Sequence, residues 1–512
     1  LDLTSKRHVF KSYKMFCLSN GESTSRRFPE GFRFGAATAS YQIEGGWNAS
    51  DKSENIWDRL THARSWMIED HSNGDIACDS YHKYKEDVQL LKDIGLDYYR
   101  FSISWTRLLP TGLSNKISRD GITFYNSLIN ELLANGLDPV VTLYHWDLPQ
   151  ALQDLGGWAN PNMAQYFEGY AKIAFQLFGD RVKMWITINE PFEVCQGGYG
   201  ITRRAPALSF SGVADYLCGH TLLKAHAAAY RLYDQTFRQS QQGKISITLN
   251  GDWYEPVNET KEIVALAERL GWFAHPIFSA EGDYPSVMKE RVAQISREQG
   301  FSHSRLPVFT EQEISFIRGT FDYFGFNHYT SQMVGAEIPR QVGLLSFQQD
   351  VGLEFFPNPD WKESASADWM RVNPPGFKKL LKWIKVEYNN PEVMIMENGY
   401  PDSGILQDWD RIDYMRGYLL AMLEAIEEGC NVTAYTVWSL LDNFEWRSGY
   451  TGHFGMISVD FSSPDRSRRP KASADFFRTV IRDKYFLLHS HSHSHVLICY
   501  AVTLSCALDF YH

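Results

Sequence analysis

Between residues 28 and 485 the chain alternates short apolar runs with longer stretches of helical periodicity. The runs fall at 32–38, 98–104, 138–144, 183–189, 244–250, 321–327, 393–398 and 432–439. They are apolar nearly throughout rather than alternating, the pattern of parallel strands covered on both faces. Helical stretches lie between them at 80–94, 124–134, 163–178, 216–237, 262–278, 377–388, 411–428 and 472–483. In the first of these Tyr81, Tyr84, Val88, Leu91 and Ile94 recur at helical spacing. Gly95, Gly136, Gly179 and Gly429 stand near helix ends, where a left-handed cap is expected. Eight such units predict an α/β fold, a single (β/α)8 TIM barrel with its site at the C-terminal strand ends. No linker rich in Pro, Gly or Ser interrupts residues 28–485, so they read as one domain. The surplus length falls in the loops that follow strands, the longest being the polar, proline-containing segment 330–368.

The ends do not share this pattern. Residues 1–27 are polar with short apolar pieces, read as a disordered N-terminal extension without a visible signal peptide. Residues 486–512 are read as a tail outside the fold. The His/Ser tract 489–495 reads as low-complexity sequence rather than a metal site. The apolar stretch 496–510 is short for a membrane span. The net charge of −11 argues against nucleic acid or an anionic membrane as partner, since both need a basic face. The seven cysteines include no CxxC pair, which argues against zinc. Cys195 and Cys218 are either a disulfide or two buried thiols. Sequons occur at Asn48, Asn258 and Asn431, with Asn258, in a polar turn, the best placed for a glycan.

Polar residues gather where the predicted strands end. Gln42 and Glu44 follow the first strand, Arg100 lies in the second, and His145, Trp146 and Asp147 follow the third. Asn189 and Glu190 end the fourth, and Asn250 ends the fifth. Asn327, His328 and Tyr329 end the sixth, and Glu397 and Asn398 the seventh. Trp438 lies in the eighth, with Glu445 and Trp446 just beyond. Cleavage of a glycoside needs two carboxylates flanking the anomeric carbon, about 5–5.5 Å apart in retaining enzymes. Strands four and seven face each other across a barrel, so Glu190 and Glu397 are the candidate pair. Arg100 is placed to hold one of them ionised, and that negative charge would raise the pKa of the other.

The segments FPEGFRFGAATASYQIEGGW, YRFSISWTRLLP, YHWDLPQAL, TINEP, ENGY and WSLLDNFEW resemble glycoside hydrolase family 1, the β-glucosidase family, in an animal- or insect-like member. The resemblance spans about residues 28–485. It implies that Glu190 is the acid/base and Glu397 the nucleophile, with Arg100, Asn327 and Tyr329 around that nucleophile. It implies sugar contacts from Gln42, His145, Asn189, Trp438, Glu445 and Trp446. Trp369 would form the platform for the leaving group, and Phe454 would line the wall. Asn250 is left out as a turn residue. Ile188 stands where the family usually has Phe and should point away from the sugar. Pro375 is expected to reshape the leaving-group side.

The function so implied is a retaining exo-β-glucosidase for β-D-glucosides, with β-galactosides and β-fucosides hard to separate from them. No cofactor or metal is expected, and the partner is a small-molecule β-glycoside. No nucleic acid and no membrane span are expected, and the state is monomer or homodimer. Secretion is favoured over the cytoplasm by resemblance to digestive animal enzymes. The alternative is a myrosinase-like thioglucosidase acting on glucosinolates, for which Arg203 and Arg204 are the sulfate-binding candidates. A catalytically inactive binding module is disfavoured because both glutamates are present.

Overall fold

The computed structural model describes residues 25–257, 261–339 and 341–487. The His/Ser tract, the apolar stretch after it, the sequon at Asn258 and most of the N-terminal extension lie outside the described residues. The chain forms two compact units, Phe28–Lys484 and a small one from the two chain ends. In the small unit Ser25–Arg27 pairs antiparallel with Tyr485–Leu487. The Arg27 guanidinium covers the Tyr485 ring at 5.7 Å.

The large unit is a closed parallel barrel. Its strands are β1 (Arg33–Ala37), β2 (Tyr98–Ser102), β3 (Asp138–Tyr144), β4 (Met184–Asn189), β5 (Lys244–Asn250), β6 (Phe324–Asn327), β7 (Val393–Asn398) and β8 (Val432–Trp438). They are hydrogen-bonded in chain order, and β8 closes on β1 through Ala434↔Arg33 to Trp438↔Ala37. The interior is filled by Tyr98, Val140, Ile186, Tyr323, Met394, Met396 and Ala434. Its two tyrosines satisfy their hydroxyls, Tyr98 with Thr436 at 2.7 Å and Tyr323 on the Trp185 carbonyl at 2.8 Å. The barrel is therefore a packed core with a mouth at one end.

Around it lie α1 (Ser80–Ile94), α2 (Arg119–Ala134), α3 (Met163–Phe178), α4 (Ala214–Leu232), α5 (Lys261–Phe278), α6 (Pro374–Glu387), α7 (Trp409–Glu427) and α8 (Ala472–Asp483). α2 begins five residues before its apolar pattern does, because Ser118 caps it by accepting from Gly121 N and the first turn is polar. α6 likewise begins at Pro374, with Asn373 as cap and two prolines in the first turn, where a missing N–H costs nothing. α4 stops at Leu232 and continues as a π-helical turn, Tyr233–Phe237.

Gly95, Gly136 and Gly429 have φ of 86°, 75° and 85°. Gly179 does not, its φ being −70°. A Cβ there would collide with the Gln241 amide, which donates to the Phe175 carbonyl at 2.8 Å. Close approach, not a left-handed cap, explains that glycine. The segment 330–368 is not a plain loop either. Ser331–Glu337 is the centre of a three-stranded sheet with Trp253–Pro256 and Leu353–Phe356. Helices Ser286–Glu298 and Glu311–Ile317 add to the connection between β5 and β6. Among the described residues no helix is long and apolar enough to cross a membrane.

Candidate active site

Barrel register sets the site. Glu397 on β7 pairs with Asn327 on β6, and Asn327 pairs with Asn250 on β5. Glu190 follows the last residue of β4, with its N–H on the Thr248 carbonyl at 2.9 Å. Its φ is 48°, a left-handed conformation costly for a side-chain-bearing residue, and such strain gathers at functional sites. Trp146 and Trp446 share it, at 76° and 53°. These elements open on a cavity of about 420 Å3 that both glutamates line.

Arg100 lies under the cavity floor, almost wholly buried. It donates to Glu397 Oε1 at 2.7 Å, the Met396 carbonyl at 2.9 Å, Asn189 Oδ1 at 2.7 Å and Thr142 Oγ1 at 3.2 Å. Tyr329 donates to the other oxygen of Glu397 at 2.6 Å. Asn327 Nδ2 donates to Glu190 Oε1 at 2.7 Å and to Asn189 Oδ1 at 3.1 Å. Asn327, paired in register with Glu397, thus ties Glu190 to the Arg100–Asn189 network that holds Glu397.

Burial pushes the Glu190 carboxyl well above its ordinary range, and the charges of Glu397 and Glu193 add to this. Burial also raises Glu397, but the Arg100 charge and the Tyr329, Arg100 and Asn327 hydrogen bonds pull it back. With one proton between them, it belongs on Glu190. The pair therefore offers one ionised and one protonated carboxyl on the same cavity. Tyr329 is held protonated by burial and by the charge of Glu397, so it stays a donor.

Further along the wall stand His145, Trp438, Glu445 and Trp446. Asn189 Nδ2 meets His145 Nε2 at 3.1 Å. That nitrogen must accept, so the proton sits on Nδ1, which has no hydrogen-bond partner among the described residues. Burial, then the Arg100 charge, keeps His145 neutral. Burial lifts the Glu445 carboxyl to about 8, against the opposing pull of Arg204 and of Trp438. Trp369, which is 42% exposed, and the buried Phe454 pack edge-on to Tyr329 at 6.1 and 6.0 Å.

The structure thus brings Glu190, Glu397, Asn327, Tyr329, His145, Trp438, Glu445, Trp446, Trp369 and Phe454 onto one cavity. Gln42, Arg100 and Asn189 are not on its surface but stand directly behind it. Gln42 Nε2 reaches Asn443 Oδ1 and the Phe444 carbonyl, both at 2.9 Å, and Glu445 Oε2 at 3.4 Å. Ile188 is buried off the cavity. Pro375 also lies off it, exposed in the first turn of α6, so the expected reshaping of the leaving-group side does not occur there.

The rest of the cavity lining carried little signal in the sequence. Arg203 and Arg204 line the cavity as expected, together with Glu193, Asp252, Tyr254 and Arg269. Asn250, set aside as a turn residue, lines it too. Arg203, Arg204 and Asp252 come from irregular segments, whereas Arg269 lies in α5 and Tyr254 in the short strand Trp253–Pro256. Glu193 stands three residues after Glu190, where a helical turn puts both on one face. Cys195 and Cys218 form a disulfide that ties this turn to α4, while Cys78 and Cys430 are buried thiols. Among the described residues no cluster of His, Cys, Asp or Glu could hold a metal ion.

Comparison with known proteins agrees with this geometry. The chain is 50% identical to Myrosinase 1 of Brevicoryne brassicae, over 89% of this chain and 98% of that protein. It is 43% identical to the cytosolic β-glucosidase of Homo sapiens, over 90% and 99%. The solved structure of aphid myrosinase superposes with a TM-score of 0.85 at 49% identity, covering 89% of this chain and 99% of that one. Residues 24–486 match the profile of Glycosyl hydrolase family 1. A barrel mouth carrying one ionised and one protonated glutamate, in a chain so matched, places this glycoside hydrolase in glycosyl hydrolase family 1.

Proposed function

We propose that the protein is a retaining exo-β-glucosidase. The observation that carries this reading is that Asn327, the register partner of Glu397, donates to Glu190, so the two unlike carboxyls stand on either side of one residue. It favours the short separation of retaining enzymes, since inverting ones leave room for a water between the pair. Glu397 attacks the anomeric carbon as the glycosidic C–O bond breaks, and Glu190 gives its proton to the departing oxygen. A glycosyl ester on Glu397 results. Water then attacks the same carbon, its proton passing to Glu190, and the ester bond breaks to regenerate Glu397. His145, Glu445, Trp438 and Trp446 bind the sugar hydroxyls, while Gln42 and Asn189 hold these groups in place. Trp369 and Phe454 receive the leaving group.

The test is turnover of aryl β-glucoside, β-galactoside and β-fucoside by wild type beside Glu397→Gln. Rapid glucoside cleavage, lost in the variant, is expected. No turnover by folded wild type would overturn the reading.

A myrosinase-like thioglucosidase is the second reading. It is favoured by the identity to Myrosinase 1 and by Arg203 and Arg204 in the cavity lining. Sinigrin assayed in parallel separates the two, because preferential sinigrin turnover would replace the glucosidase assignment. We also infer an oxidising compartment such as the extracellular space, supported by the Cys195–Cys218 disulfide.

A further inference from the structure

Glu190 must hold a proton during bond cleavage and lose it for the attack of water. Glu397 accounts for part of this change, since its negative charge disappears when it becomes an ester. The structure places a second pair of charges beside Glu190. Glu193 lies one turn further along the segment that follows β4, and its carboxylate meets the Arg204 guanidinium at 3.4 Å. Both side chains are mostly buried and line the same cavity as Glu190.

The local backbone is shaped around this arginine. The N–H groups of Arg203 and Arg204 both reach the Gly197 carbonyl, at 2.8 and 2.9 Å. A Cβ on Gly197 would stand 2.8 Å from Arg204 Cγ, so only glycine lets the arginine stem pass. The guanidinium then lies over the Trp146 ring at 4.8 Å. That indole donates to the carbonyl of Asn189, the residue before Glu190, at 3.0 Å. Arg204 Nε is buried with no hydrogen-bond partner among the described residues. A cation so enclosed acts on the carboxyls around it rather than on solvent.

We propose that the Glu193–Arg204 ion pair sets when Glu190 gives up and recovers its proton, Glu193 opposing its ionisation and Arg204 favouring it. This rests on the assignment of Glu190 as acid/base. Both are positioning residues that act through Glu190. The other groups facing it are Glu397 on β7, Asn327 and Tyr329 at the end of β6, His145 after β3 and Glu445 after β8. Arg203 and Arg269 stand beyond Glu193 and, with Arg204, hold its carboxyl below the usual range despite its burial. Glu193 is therefore an ionised neighbour. Its charge raises Glu190, and that of Arg204 lowers it.

The test uses the full chain and a neutral 4-nitrophenyl β-glucoside, reading the alkaline limb of kcat/KM. Arg204→Gln leaves Glu193 less compensated, so the limb should move up by about one pH unit. Glu193→Gln should move it down by a similar amount, and Arg204→Lys should hold it near wild type. Shifts of opposite sign are the signature, since a loosened cavity would lower the rate without moving the limb in two directions. Limbs that coincide with wild type, or that move together, overturn the proposal. Should Arg204→Gln not fold, Glu193→Gln decides, an unmoved limb overturning it. Glu190→Gln is run beside them. If the limb persists in that variant, the acid/base assignment and this proposal fall together. If it vanishes there but ignores Glu193 and Arg204, only this proposal falls.

Discussion

Two parts of the site are built by different means. In the first, Asn189, Asn327, Glu397 and Trp438 stand on β4, β6, β7 and β8, and Glu190 follows β4 directly. Their positions follow from the pairing of strands around a closed barrel, and their polar atoms are tied to one another. In the second, Glu193, Arg203, Arg204, Asp252 and Trp369 come from a short helix, turns and short strands beyond the barrel. These are held by a disulfide, by stacking of Arg204 and Arg269 on aromatic rings, and by edge strands. On the proposed reading the barrel frame carries the chemistry, while the separate segments bear on proton control and leaving group. Substitutions at the frame should act on the chemical step, and those at the rim on proton control and leaving-group choice.

The largest effect should come from the frame. Glu397→Gln removes the nucleophile and should lower kcat by about 10⁴-fold or more, measured on an aryl β-glucoside. Residual turnover within tenfold of wild type would dissolve the distinction between the two parts. Glu190→Gln should cost about 10²- to 10⁴-fold in kcat/KM on substrates with poor leaving groups and far less in kcat/KM on activated ones, because only the former need the proton to form the ester. Its activity should also lose the alkaline limb, since burial and the charge of Glu397 raise Glu190 in the wild type.

Tyr329→Phe sharpens the comparison. It removes a donor 2.6 Å from Glu397 and so weakens the ionised form of that carboxyl. The acidic limb of kcat/KM should rise by about one pH unit, with rates at low pH falling about tenfold. An unmoved limb would mean that Arg100 alone holds Glu397 ionised.

The smallest effect concerns stability. Glu445 is lifted to about 8 by burial, so the folded state binds its proton more tightly than the unfolded chain does. The resulting stabilisation is full below the ordinary carboxylate range and is lost as pH rises through about 8. Wild-type Tm should therefore decline over that window, and Glu445→Gln should flatten the decline, by thermal unfolding at a series of pH values. Equal slopes in both proteins would contradict it.

What could be read in advance divides along the same line. The runs at 138–144, 244–250 and 393–398 match β3, β5 and β7 in full, because strands buried on both faces carry an unbroken apolar signal. Polar residues at such ends stand out, which is why Glu190, Glu397 and Asn327 were legible. α2 and α6 began earlier than their apolar pattern, since caps and first turns are polar or proline-bearing. Gly179 was misjudged because a close contact with Gln241, invisible in one dimension, required it. Segment 330–368 hid its strands since they pair at a cavity rim and lack a continuous apolar run. Glu193 and Arg269 were passed over for a related reason, as a charged residue on a helix looks like solvated surface until the fold encloses it.

The central claim is that Glu397 carries the sugar between the two halves of the reaction. The most direct measurement is mass spectrometry of the protein after exposure to an activated 2-deoxy-2-fluoro-β-glucoside, which slows release of the covalent intermediate. One fluoroglucosyl group on the peptide containing Glu397, absent from Glu397→Gln, is the predicted result. A label on another residue, or none on protein that turns over glucosides, would contradict the account.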